Sequence, residues 1–169
     1  KYMAACDELY VTVRGRGGHA ALPKKVVNPI TFAANMIIDI KKNISSFSND
    51  NQYVLEFGDF HAYGASNVIP EEAFLKGTLR TLDENFRKKV HQSLMDTVAN
   101  MEEKSSIVCD FQIKKGYPTL YNDLELTKKC KSLSEDFLDK TSVQDLDVRM
   151  ASEDFSYFSQ KCPSCFFRL

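Results

Sequence analysis

Val11-Thr-Val-Arg-Gly-Arg-Gly-Gly-His-Ala-Ala21 reads as a strand that breaks into glycines and then presents a histidine. Working back from the break, Leu9, Val11 and Val13 alternate with Tyr10, Thr12 and Arg14, the period of two of a half-buried strand. Working forward, Asn28-Pro29 reads as a helix cap followed by proline at the first helical position. Ile30, Ala33, Ala34, Ile37, Ile40 and Ile44 share one face at helical spacing, and the helix is expected to fade near Asn43, before the polar stretch 45–51. Tyr53, Leu55 and Phe57 alternate again as a second strand. After a loop at 64–67, Ala73, Leu75, Gly77 and Leu79 form the small, apolar face of a third, with Phe74, Lys76, Thr78 and Arg80 on the other side.

Thr81 with Glu84 matches a capping box. Phe86, Val90, Leu94, Val98 and Met101 then make the stripe of a second helix, and Cys109, Phe111 and Ile113 point inward from a fourth strand. The order β-α-β-β-α-β, with right-handed crossovers, predicts an α+β fold: a ferredoxin-like two-layer sandwich over residues 9–116. One sheet face lies under the helices and the other, carrying Arg80, is open. Beyond Tyr117-Pro118 the pattern changes. Residues 124–138 read as a helix, 146–150 as a short strand, Ser152 as the cap of a short helix through Phe158, and 166–167 as a last strand. The segment 117–169 holds too few elements for a core of its own and would leave Phe137, Phe155 and Phe166 exposed.

Composition narrows the function classes. The 169 residues carry 22 basic and 23 acidic side chains, a formal net charge of −1, so no strong field favours nucleic acid or an anionic membrane. No apolar run approaches the roughly 20 residues that span a bilayer. Five cysteines at irregular spacing fit a reduced, cytoplasmic setting better than a disulfide framework. The chain opens on Lys rather than Met and reads as a portion of something longer.

Four residues are candidates for chemistry. Arg80 can grip a carboxylate with its planar fork, or be a solvated strand-end charge. Asn67, before Val-Ile-Pro70, can donate to a carbonyl or stabilise a turn. His19, after two glycines, can donate to a developing oxyanion or act as acid or base, or be structural near a helix start. Glu153 can supply a general base, or simply suit a helix's first turn. His61 and His91 attract less interest, the second lying on the outer face of the second helix, and neither has a metal-ligand spacing. Cys162-Pro-Ser-Cys165 has redox or zinc spacing without a second pair.

Gly15-Arg-Gly-Gly-His-Ala-Ala21, Asn28-Pro29, Ser66-Asn-Val-Ile-Pro70, Gly77-Thr-Leu-Arg80 and Ala151-Ser-Glu-Asp-Phe155, in that order, resemble the metal-dependent amidohydrolases of the aminoacylase and carboxypeptidase family. The branch most resembled is the N-acyl-amino-acid hydrolases, including hippurate and indole-acetyl-amino-acid hydrolases. Leu22-Pro23-Lys24 departs from that branch, which often has histidine after the proline.

The resemblance implies a lid and dimerisation domain at 9–116, a partial return into an α/β catalytic domain at 117–169, and a homodimer through the lid. It implies that His19 reaches the partner's active site, that Asn67 and Arg80 bind the carbonyl and carboxylate of an N-acyl-amino-acid or peptide-like substrate, and that Glu153 lies near the metal site. Two divalent ions, zinc, manganese or similar, serve the intact enzyme. The segments bearing their ligands are not in this chain, so none is expected here and the fragment alone is expected to be inactive. The alternatives are a stand-alone ferredoxin-like module that binds a carboxylate metabolite without turnover, and an interaction domain that pairs chains through its sheet.

Overall fold

The computed structural model describes residues 2–168; Lys1 and Leu169, the latter the last residue of the expected segment 117–169, lie outside the described residues. Besides a 3-10 turn at Pro23–Lys25, ten strands and α-helices follow in order among the described residues: β1 (Ala5–Arg14), β2 (Gly18–His19), α1 (Pro29–Phe47), β3 (Tyr53–His61), β4 (Val68–Ile69), β5 (Glu72–Thr81), α2 (Glu84–Glu103), β6 (Val108–Lys115), α3 (Leu124–Leu138) and α4 (Ser156–Ser159). Four strands form one antiparallel sheet in the order β3-β5-β1-β6, and α1 and α2 cover one face. This is the ferredoxin-like sandwich expected from the sequence. A separate two-residue ribbon pairs β2 with β4, an element that the sequence pattern does not announce.

The alternation in β1 is kept: Asp7, Leu9, Val11 and Val13 are buried under the helices, while Glu8, Tyr10 and Arg14 are exposed. In β5, Ala73, Leu75 and Leu79 are buried on the same face, which leaves Arg80 on the open one. The α1 stripe is rotated from the expected one. Phe32 and Met36 are buried with Ala33, Ile40 and Ile44, and Ile30 is exposed, because α1 meets α2 as well as the sheet. Asn28 caps α1 as expected, its side-chain oxygen accepting from Ile30 N at 2.9 Å; the helix runs on past Asn43 to Phe47.

Several local expectations fail for visible reasons. The cap of α2 is Asp83, accepting from Phe86 N at 2.8 Å, and not Thr81, which is still in β5 and fully buried. Residues 146–150 form no strand: only Arg149 bridges, to Met3, in a pairing set by the chain start. Ser152 caps nothing, since α4 begins after Phe155 with no side-chain cap. Phe166 is not in a strand but packs on Phe155, centroids 5.3 Å apart, and on Tyr2. Phe155 and Phe166 are therefore partly covered, in a small cluster with Tyr2, Met3 and Leu120, whereas Phe137 is 86% exposed. No helix among the described residues is long and apolar enough to cross a membrane.

Candidate functional site

The glycine break after β1 has a steric reason. A Cβ on Gly17 would lie 2.7 Å from Ile69 O, and Gly18 has φ +148°, a backbone that favours glycine. The two glycines let the chain press against 68–70, so that His19 pairs with Val68 and Ala20 N donates to Asn67 O at 2.9 Å. His19 and Asn67 thus sit side by side on one exposed ribbon. His19 Nδ1 accepts from Ala21 N at 3.1 Å, and Nε2 has no hydrogen-bond partner among the described residues.

Arg80 lies elsewhere. It sits opposite Cys6 near one end of β5, while Glu72, opposite Arg14, marks the end from which the ribbon springs. Eight residue steps along the strand separate Glu72 from Arg80, roughly 26 Å at about 3.3 Å per step. Arg80 Nη1 donates to Met150 O at 3.1 Å, which ties it to the segment that holds Glu153. Glu153 itself is half-buried; its carboxylate accepts from the neighbouring Asp154 N at 3.1 Å and its carbonyl from Ser156 N at 3.1 Å. The fold therefore groups the four candidates in two pairs, His19 with Asn67 and Arg80 with the Glu153 segment. The two arginines that are not exposed differ sharply. Arg87 is neutralised by Asp7 and Glu84, whereas Arg80 has one carbonyl acceptor and no carboxylate partner among the described residues.

Other features carry less. A recess of about 410 Å³ beside the ribbon is lined by Arg14, Tyr63, Pro70, Glu72 and Phe74, but its arginine is already paired with Glu72 at 2.8 Å. His61 ends β3, bonded to Asp59 at 3.1 Å and stacked on Phe74. Cys165 neighbours Cys130 of α3, so the spacing of Cys162 to Cys165 does not mark its main contact; burial first and then Cys165 raise the Cys130 thiol above its ordinary pKa. The cysteines are all free. Among the described residues no group of three His, Cys, Asp or Glu side chains could hold a metal, so these residues do not fit the metal centre that the resemblance implies.

One buried cluster escaped the sequence reading. His91 does not lie on the outer face of α2: its Nε2 is 2.6 Å from Asp7 Oδ2, and its side chain is 13% exposed. Arg87 forks onto both Asp7 oxygens. Burial alone would raise the Asp7 carboxyl, but the hydrogen bonds and charges of Arg87 and His91 outweigh it and hold the group at about 2. The available signal was parity. Asp7 shares the inward positions of Leu9 and Val11, and Arg87 and His91 lie four apart beside the α2 stripe.

Comparison with known proteins agrees with the fold of the sandwich. The family pattern of the M20 peptidase dimerisation domain matches residues 7–105. The chain is similar to N-acetyl-L-cysteine deacetylase of Bacillus subtilis, 31% identical over 167 residues that cover 97% of this chain and 39% of that protein. It is also similar to thermostable carboxypeptidase 1 of Saccharolobus solfataricus, 28% identical over 99% of this chain and 42% of that protein. Among solved structures, a proposed aminohydrolase from methicillin-resistant Staphylococcus aureus superposes with a TM-score of 0.85 at 24% identity, over 96% of this chain and 42% of that one. The chain spans about two fifths of the length of these relatives.

Proposed function

Because the chain belongs to the M20 peptidase dimerisation domain family, we propose that it supplies the lid and dimer contact, residues 9–116, of a metal-dependent N-acyl-amino-acid amidohydrolase, with 117–169 leading into the catalytic domain. Its relatives are hydrolases of acylated amino acids and peptides by name, which supports an amide substrate with a free carboxylate. The observation that carries the reading is Arg80: a half-buried guanidinium that, among the described residues, has one carbonyl acceptor and no anion beside it. A substrate carboxylate would complete it. The metal ions would be held by other parts of the enzyme, and no step through them is assigned to these residues.

The two pairs of candidates then divide the work. Arg80 fixes the substrate carboxylate in the site of its own subunit, beside Glu153. His19 and Asn67 project from the far end of the sheet, so they serve the partner's site, where His19 Nε2 and the Asn67 amide donate to the scissile carbonyl as charge builds on its oxygen. Pairing through the lid is thus part of the reading, not an addition to it. The free thiols support a reducing, cytoplasmic setting.

Two experiments on the enzyme that carries this chain test this. Arg80→Ala should raise KM for an N-acyl-amino acid roughly 10-fold to 100-fold, the worth of a charged, forked hydrogen bond; an unchanged KM would sink the carboxylate assignment. Mixing and re-associating the separately weak His19→Ala and Arg80→Ala proteins should restore activity, since a mixed dimer has one site with both groups intact. No recovery would place His19 and Arg80 in the same subunit's site.

A further inference from the structure

Three stretches of chain run side by side where β1 begins. Residues 2–6 lie in the middle. On one flank Cys6 N donates to Tyr117 O at 3.0 Å, Gly116 N to Cys6 O at 2.9 Å and Leu120 N to Met3 O at 3.0 Å. On the other, Ala4 N donates to Ala151 O and Arg149 N to Tyr2 O, both at 2.9 Å. The chain therefore enters and leaves the sandwich through one seam.

That seam is gripped from both faces of the sheet. On the open face Arg80 holds Met150 O. On the helix face the first turn of α2 holds the other flank. Arg87 forks onto Asp7, reaches Gly116 O at 3.4 Å and lies 3.2 Å from both Glu84 oxygens, while Asp7 Oδ1 accepts from Gly116 N at 3.2 Å. Glu84 Oε1 accepts from Thr119 N at 2.9 Å and from the Thr119 hydroxyl at 3.3 Å. Burying such a pair is a poor route to stability, because desolvation offsets most of its attraction. What a planar fork with fixed acceptors does supply is direction, since it fixes where two backbone segments cross.

We propose that Arg87 is a positioning residue for the carboxylate site: by locking Asp7 on the entering strand to Gly116 and Thr119 on the leaving one, it fixes the seam against which Arg80 is held. The inference rests on the reading of Arg80 above. Arg80 pairs with Cys6, one residue from Asp7, so a seam that twists carries Arg80 and the Met150 segment out of alignment.

The test uses the enzyme that carries this chain. Arg87→Lys keeps the charge and loses the fork. Glu84→Ala, at a partly exposed position, releases Thr119 without emptying the buried pair and serves if the lysine variant fails to fold. Both should raise KM for an N-acyl-amino acid about 5-fold to 20-fold while kcat falls no more than about twofold. In an Arg80→Ala background the same changes should move KM less than about twofold, because both act through one group. Hydrogen exchange at the Thr119 amide should quicken at least about tenfold in Glu84→Ala. An unchanged KM with faster Thr119 exchange would overturn the proposal, as would a full KM effect persisting without Arg80, or unchanged exchange at Thr119. If Arg80→Ala alone leaves KM untouched, the carboxylate reading fails visibly and this inference falls with it.

Discussion

Two helices of similar design meet different fates in this chain. In α1 the residues Phe32, Ala33, Met36, Ile40 and Ile44 are buried against the sheet and α2. In α3 the periodic apolar residues include Leu133 and Phe137, yet the helix buries no residue, and these two are 69% and 86% exposed. Both are well capped and both follow helical spacing. The difference teaches that a sequence pattern declares which face wants cover, while topology decides whether cover arrives. Residues 5–115 pair with one another three times in a single four-stranded sheet. After Lys115, the buried apolar cover among the described residues is the small cluster of Tyr2, Met3 and Leu120 with Phe155 and Phe166.

The largest expected effect tests that contrast directly. Leu94→Ala, at a fully buried position in the shared core, should lower unfolding free energy by about 3 kcal/mol. Leu133→Ala, the same truncation in α3, should stay within about 0.5 kcal/mol. Urea unfolding followed by circular dichroism measures both. Equal losses would mean that α3 has cover after all, for instance from a second copy of the chain.

The second effect is acid sensitivity, which should be centred on the buried Asp7 of the sandwich. The Asp7 carboxyl is held at about 2 in the folded state against an ordinary 3.8. A depressed folded value means that the stability is present above pH 4 and is lost as pH falls towards 2, about 2 kcal/mol in all. The urea midpoint should therefore drop between pH 5 and pH 2.5, with a smaller drop in Asp7→Asn measured over the same range. Parallel curves for the two proteins would remove Asp7 from the account.

Much of the sandwich was legible because its signals are local. Alternation in β1 and β5, Asn28-Pro29 before α1 and the Phe86-to-Met101 stripe each state an element within a dozen residues. The Asp7–Arg87–His91 cluster was not, since Asp7 lies 80 and 84 positions from Arg87 and His91, and parity marks an inward position without naming its partner. The same holds for the candidate site. His19 and Asn67 were visible as residues beside glycine and proline, but their placement on one ribbon depends on the close approach of Gly17 to Ile69. The α2 cap misled for a different reason. Thr81 fits a capping box in sequence, but its last ladder position in β5 keeps it in the strand, and Asp83 takes the role. In the C-terminal stretch, Arg149 finds its partner in Met3, a pairing that no pattern within 117–168 announces.

The smallest effect separates the regions at their helix caps. Asn28 accepts from Ile30 N at 2.9 Å to begin α1, and Asp123 accepts from Leu126 N at 2.8 Å to begin α3. Replacing either by alanine removes a similar hydrogen bond, worth about 1 kcal/mol to the helix it starts. The consequences should diverge. The start of α1 is joined to the core through Phe32 and Ala33, so Asn28→Ala should shift the cooperative unfolding midpoint by the full amount. The face of α3 is open, so Asp123→Ala should fray its first turn, with faster exchange of the Leu126 amide, and shift the global midpoint by less than half as much. Equal midpoint shifts would show that α3 unfolds with the sandwich as one unit, and that the small cluster around Leu120 joins them more firmly than its size suggests.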